Sequence, residues 1–312
     1  MKNQRPSELG SAVEALKREF LQDVERLRPR LHRYCTGMTG SALDGEDIVQ
    51  ETLAHAFFRL STLQDPGALK GWLFRIAHNK CIDFIRARQR QPEHTEAAEG
   101  SYETPDQLEA QRATGEALEA LLSLLPPKER AALLLKDVFD YSLLETAEII
   151  DSSLAGVKAA LHRGRSRLKA ESSAGGVQRS EAAPRSFPNR ALLDAYVESF
   201  NAKDWGRLQT LIREDARLEL VGFAELPLGS SYQTNYAALP WEWRLGLGYV
   251  HGEPVVIHYR KYADGWRPHS AIRVQVRDGQ LAVVRDYVHI DYLLESSDVD
   301  PPAPGVGHSH SA

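Results

Sequence analysis

Hydrophobic residues recur at steps of three and four through residue 170, and from residue 212 onward they alternate with polar ones. The first pattern is that of amphipathic helices, the second that of half-buried strands. A chain carrying both in separate runs folds as separate all-α and α+β domains. Val13, Leu16, Phe20, Val24, Leu27 and Leu31 make one helical stripe, and Val49, Leu53, Ala56, Phe57 and Leu60 make another. "DPGALKG" (65–71) breaks the pattern before a further helix, and a second helical block covers 111–170, with Pro126 and Pro127 separating two of its helices. A helix over 191–212 then opens the third block, where "ARLELVGF", "PVVIHYRKY" and "SAIRVQVRDGQLAVVRDYVHI" read as strands and "RDGQ" as a hairpin turn. The expected domains are 1–90, 111–170 and 191–295. They are joined by an acidic linker (91–110) and a flexible one (171–190), with a disordered tail at 296–312 that includes His308 and His310.

Charge separates along the chain more than its net value of −5 suggests. In the helix "WLFRIAHNKCIDFIRARQR" (72–90), Leu73, Ile76, Ala77, Cys81, Phe84 and Ile85 form a core face. The opposite face is Trp72, Arg75, Asn79, Asp83, Arg86 and Arg90. Cations neutralise phosphates and an aromatic stacks on an unpaired base, so this face suits opened nucleic acid. Its bland alternative is a solvated basic face.

"YSLLETAEIIDSSLAGVKAALHRGRSRLK" (141–169) has the layout of a helix-turn-helix. Leu143, Leu144, Ala147 and Ile150 point inward from the first helix, "DSS" makes the turn, and Ser152 or Ser153 caps the second helix. There Leu154, Val157, Leu161 and Leu168 are expected inside, and Lys158, His162, Arg165 and Lys169 outside, facing a major groove.

Two cysteines, Cys35 and Cys81, offer no disulfide framework. There is no apolar run of bilayer length, no apolar signal segment in "MKNQRPSELG", no Gly-rich phosphate loop, no zinc spacing and no nucleophile elbow. A cytoplasmic protein with no cofactor, no metal and no membrane partner is expected.

The two basic helices, their order and the acidic segment between them resemble an extracytoplasmic-function sigma factor of the sigma-70 family over residues 12–170. "DGEDIVQETLAHAFFRL" (44–60) is similar to the helix that docks on RNA polymerase core, 71–90 to the promoter-melting helix, and 125–169 to the reader of the upstream element. The resemblance implies polymerase contacts at Asp44, Glu46, Asp47, Gln50 and Glu51. It implies −10 contacts at Trp72, Arg75, Asn79, Arg86, Arg88 and Arg90, and −35 contacts at Lys158, His162, Arg163, Arg165 and Lys169. Asp83 is expected to pair with Arg86 one turn on. Three positions depart from the family: Asp151 stands where Gly is common, Ala159 and Ala160 where Ser-Arg is common, and Gly164 where Ala is usual, at a helix cost of about 1 kcal/mol. Altered −35 reading is expected from them.

The third block resembles a SnoaL-like domain, a cone-shaped α+β fold of the nuclear-transport-factor-two-like class, here expected to regulate the sigma domains. It lacks the Trp-Leu-Pro-Glu-Pro and Asp-Gly-Gly-Gly-Lys signatures of one well-populated subgroup. Trp241, Trp243, His258 and Asp286 are candidate pocket residues for a small-molecule ligand. Asp286 alternates onto an apolar face with Ala282, Val284, Val288 and Ile290, where desolvation raises a carboxyl pKa. The competing reading pairs Asp286 with an arginine such as Arg273 and makes the tryptophans core. Two other functions stay open: a one-component ligand-sensing repressor or activator, and an enzyme on the third domain. The clamp-like and melting helices argue against the former, since a repressor needs neither.

Overall fold

The computed structural model describes residues 5–63, 65–90, 124–173, 187–228, 236, 239–290 and 292–295. The acidic linker, most of the flexible linker and the tail with His308 and His310 lie outside the described residues. The chain divides into two compact units, one holding both helical blocks and the other the third block. No described helix is long and apolar enough to cross a membrane.

The helical unit opens with α1 (Arg5–Thr39), α2 (Ala42–Phe58) and α3 (Leu69–Arg90). Ser41 caps α2 by accepting from the Asp44 N–H. The second block has α4 (Pro127–Leu133), continued by a π-turn over Leu134–Val138, then α5 (Leu143–Ile149) and α6 (Leu154–Ser173). A capping box between Ser142 and Glu145 starts α5. Asp151 takes the left-handed backbone that its place in the turn requires, at φ +49°. Ser153 then accepts from the Gly156 N–H at 3.0 Å and starts α6.

The helix-turn-helix packs differently in detail from its sequence pattern. Val157 and Leu161 are buried as expected, but Ala160 rather than Leu154 completes the stripe. Ala147 and Ile150 are buried as expected, Leu144 is 65% exposed, and Thr146 and Ile149 are buried beside them. Gly164 has a packing reason: a Cβ there would stand 2.8 Å from Leu133 Cδ1, so its absence lets α6 close on α4.

The third block is α+β. Helices α7 (Arg190–Asn201) and α8 (Trp205–Leu211) precede a six-stranded mixed sheet. Its strands are β1 (Ile212–Leu220), β2 (Ala224–Pro227), β3 (Trp243–Val250), β4 (Glu253–Tyr262), β5 (Gly265–Arg277) and β6 (Gln280–Asp286), with α9 (Tyr292–Glu295) last. The order is β2-β1-β6-β5-β4-β3, with only β1 and β6 parallel. The "RDGQ" turn joins β5 to β6, Asp278 and Gly279 both having positive φ, as a two-residue hairpin needs. Helix α7 lays Tyr196 and Phe200 on one face of the sheet, where they meet Leu218, Leu245, Val256, Ile272 and Val284 in one core. This nuclear-transport-factor-two-like arrangement is the one expected for a SnoaL-like domain.

Candidate functional site

The acids of α2 divide into two kinds. Glu46 is fully buried, paired with Arg28 at 2.7 Å and accepting from Gln50 Nε2 at 2.7 Å. It is a brace between α1 and α2, which corrects its expected place on a partner-facing surface. Asp44, Asp47 and Gln50 are half-buried and Glu51 is exposed. Asp44 lies 3.7 Å from Arg88, and Glu51 accepts from Lys80 at 2.8 Å. Phe58, at the end of α2, is 84% exposed.

On α3, Arg75, Asn79, Asp83, Arg86, Arg88 and Arg90 are exposed, and Trp72 is half-buried against the core. The expected Asp83–Arg86 pair is present at 4.0 Å with both groups exposed, which makes it weak. On α6, Lys158, His162, Arg165 and Lys169 line one open depression together with Lys136 and Ser166. Arg165 is held there by a two-pronged hydrogen bond to Asp137 at 2.7 and 3.1 Å. Arg163 does not join this face. Its Nε donates to the buried Glu129 at 2.9 Å, and Arg167 approaches the same carboxylate at 3.5 Å, so both tie α6 to α4.

The two helical blocks share one apolar core. Phe74 of α3 packs its ring 5.8 Å from Phe139 and 5.2 Å from Tyr141, and Tyr34 of α1 lies 6.1 Å from Phe139. Arg130 donates to the Met38 carbonyl, and Arg30 to that of Phe139 at 3.1 Å. Burial pushes His78 down to about 4, and its Nδ1 shares a hydrogen bond with the Tyr34 hydroxyl at 2.9 Å. At the rim, Lys70 sits 4.3 Å over the Tyr141 ring, and Arg75 reaches to 3.9 Å from Asp151 in the helix-turn-helix turn. One basic helix thus touches the domain that carries the other.

In the third block three of the candidate pocket residues, Trp243, His258 and Asp286, lie on the sheet face that α7 covers. Trp243 packs against Phe200 at 5.3 Å and donates from Nε1 to the Tyr236 carbonyl. Tyr236 donates its hydroxyl hydrogen to Asp286 Oδ2 at 3.0 Å and stands 5.1 Å from the His258 ring. Arg273 pairs with Glu253 at 2.8 Å instead of with Asp286. Burial raises Asp286 to about 6, against the pull of Ser270 and Tyr236, and lowers His258 to about 3. Both ring nitrogens of His258, the Ser270 hydroxyl and Asp286 Oδ1 are buried without a full hydrogen bond. Trp241 stands apart from this core and stacks under Arg260 at 4.1 Å. Tyr236, Ser270, His269 and Arg260 were not singled out from sequence. Tyr236 lies outside any regular pattern, and the others are polar residues within strands, where alternation alone does not say which face is lined.

The chain matches the family model for sigma-70 region 2 over residues 24–91 and that for sigma-70 region 4 over residues 115–168. It is 30% identical to the ECF RNA polymerase sigma factor SigG of Mycobacterium tuberculosis over 278 aligned residues, covering 79% of this chain and 75% of that one. That coverage is larger than the two matched regions together, so the likeness continues into the third block. It is 29% identical to the ECF RNA polymerase sigma factor SigW of Bacillus subtilis, covering 48% of this chain and 87% of that one. The crystal structure of the extracytoplasmic function sigma factor SigJ of Mycobacterium tuberculosis is 21% identical, with 90% of this chain and 100% of that chain covered and a TM-score of 0.37. The two matched regions stand in family order, and the likeness to SigG runs across three quarters of that relative. This chain belongs to the extracytoplasmic-function sigma factors of the sigma-70 family.

Proposed function

We propose that this sigma factor is held closed by its own shared core and reads a promoter only after RNA polymerase core parts its two regions. The single observation that carries the reading is the packing of Phe74 against Phe139 and Tyr141, which joins the −10 helix to the −35 domain. A globule of some 150 residues is about 40 Å across. The −10 and −35 elements, about 25 base pairs apart, are separated by about 85 Å of duplex. The closed unit cannot touch both. In the opened state α2 docks on polymerase through Asp44, Asp47, Gln50, Glu51 and the exposed Phe58. Trp72, Arg75, Asn79, Arg86, Arg88 and Arg90 then meet the −10 strand, and Lys158, His162, Arg165 and Lys169 the −35 groove.

The third block regulates this step in the same reading. A tether at 171–190 gives it an effective concentration near the helical unit that reaches the millimolar range, so a weak contact suffices. Transcription in vitro by core polymerase with the full chain, or with a chain ending at Ser173, tests it. Both are expected to initiate at the promoter, the shorter one with higher output. Equal output across promoters removes the regulatory role.

A further inference from the structure

The inner face of the C-terminal sheet carries a row of polar atoms without partners, and the row has a cationic end. Trp243 pairs with Arg260 across β3 and β4, and Arg260 with Arg267 across β4 and β5, so Arg260 shares the face of Trp243, His258 and Ser270. A register shift between His258 and Tyr259 puts one extra residue, His269, into β5 opposite them. The His269 ring then lies 5.2 Å from that of His258 and 6.3 Å from Trp241.

Arg260, like Arg244 over Trp266, is an arginine of this domain that stacks on an aromatic ring instead of pairing with an acid. Its guanidinium lies 4.1 Å over Trp241 and 5.0 Å from Tyr262, and no carboxylate pairs with it among the described residues. The acids at this end are taken: Glu242 holds Lys261 at 2.7 Å, and Asp264 holds Arg267. Stacking satisfies the faces of a guanidinium but leaves its edge, where the N–H donors point, for a planar anion. Arg260 Nε and Trp241 Nε1 are both buried without an acceptor. Two residues back on the strand, about 7 Å away, His258 has two unpartnered nitrogens, and beyond it the Ser270 hydroxyl stands against the Asp286 carboxyl. Buried polar groups are rarely left unpaired, and each costs about 1–3 kcal/mol when it is. A bound molecule with a matching row of polar atoms would satisfy them together. The acid at the far end, Asp286, fixes the direction in which an anion would lie.

We propose that this face binds a small aromatic carboxylate, its carboxylate forked on Arg260 above Trp241 and its far polar group on His258. The aromatic walls, Trp241, Trp243 and Tyr236, favour a flat body between the two ends. The assignment rests on the pocket reading of the third block given above, and gives it a ligand class.

The test is calorimetric titration of the full chain with 4-hydroxybenzoate and with its uncharged analogue 4-hydroxybenzamide, alongside Arg260→Gln and Arg260→Lys. The acid is expected to bind at least tenfold more tightly than the amide. Arg260→Gln is expected to lose at least tenfold for the acid alone, and Arg260→Lys to fall between, having the charge without the fork. Thermal melts of both variants show whether they fold. Equal binding of acid and amide, unchanged binding by a folded Arg260→Gln, or no binding of either compound at millimolar concentration overturns the site. In vitro transcription with and without the acid separates the two readings. Binding without a change in output leaves the site and removes its regulatory use. A truncation effect without binding does the reverse.

Discussion

Gly37 in α1 and Leu134 in the π-turn after α4 leave no room for a side chain between them: a Cβ at 37 would stand 3.0 Å from Leu134 Cδ2. The contact lies on the seam between the two sigma regions and touches neither the basic face of α3 nor that of α6.

Gly37→Val therefore pries at the closed state and leaves the reading surfaces intact. Overpacking of this kind costs about 1–3 kcal/mol. The variant is expected to unfold at lower urea and to give more transcript at limiting core polymerase. Lower output at wild-type binding of core polymerase would count against closure as the inhibited state.

Arg165 is engaged by Asp137 in the closed chain. Arg165→Ala should cost about 1–3 kcal/mol at a −35 base if it reads one, with specificity relaxed at that position. Asp137→Ala frees the guanidinium and should strengthen −35-dependent initiation. Both effects are read from transcription on promoters with intact and scrambled −35 elements. Silence of both variants would mean that α6 does not face the groove as described.

Glu46 and Glu51 should behave oppositely. Removing a buried partner strands a charge, at about 3–5 kcal/mol in full burial. Arg28, 25% exposed, recovers part of its hydration, so Glu46→Ala should lose roughly 2–3 kcal/mol in urea unfolding. Glu51→Ala should leave stability within about 0.5 kcal/mol and weaken polymerase binding.

Asp286 makes a pH prediction. Its folded pKa of about 6 stands above the ordinary 3.8, so between pH 4 and 6 the folded state holds more proton than the unfolded chain. Stability contributed by this group is then full below pH 4 and lost as pH rises through 6, by roughly 3 kcal/mol. His258, lowered to about 3, runs the other way, its share being lost as pH falls below 6.5. That term is common to wild type and variant and cancels in their difference. Asp286→Asn should thus melt higher than wild type at pH 8, with the gap about halved at pH 5 and closed below pH 4. His289 also faces the carboxyl and favours its charged form.

Much of this was legible in the sequence because burial on one face of one element leaves a simple period. The Leu73, Ala77 and Cys81 stripe, the "RDGQ" hairpin and Asp286 on an apolar face are of that kind. Phe74 and His78 were not, since α3 buries a second face against another domain, and a helical wheel cannot name a partner from far along the chain. Glu46 and Arg163 carry the charges of a binding surface, but their partners, Arg28 and Glu129, are set by tertiary packing. Leu144 and Leu154 read as core by type and lie outside because each stands in the first turn of its helix, off the packed face. Arg260 is hidden in "HYRKY", where alternation gives faces without saying which is inner.

Closure of the two regions is tested most directly by locking it. Gly37→Cys with Leu134→Cys puts two thiols within disulfide reach on the seam. Wild type, whose only cysteines, Cys35 and Cys81, are both buried, goes through the same oxidation as control. Promoter-directed transcription with core polymerase is then measured before and after reduction. The oxidised double variant should be silent at a promoter that needs both elements and should recover when reduced, while wild type stays active throughout. Full activity of the oxidised, cross-linked protein would contradict the requirement for opening.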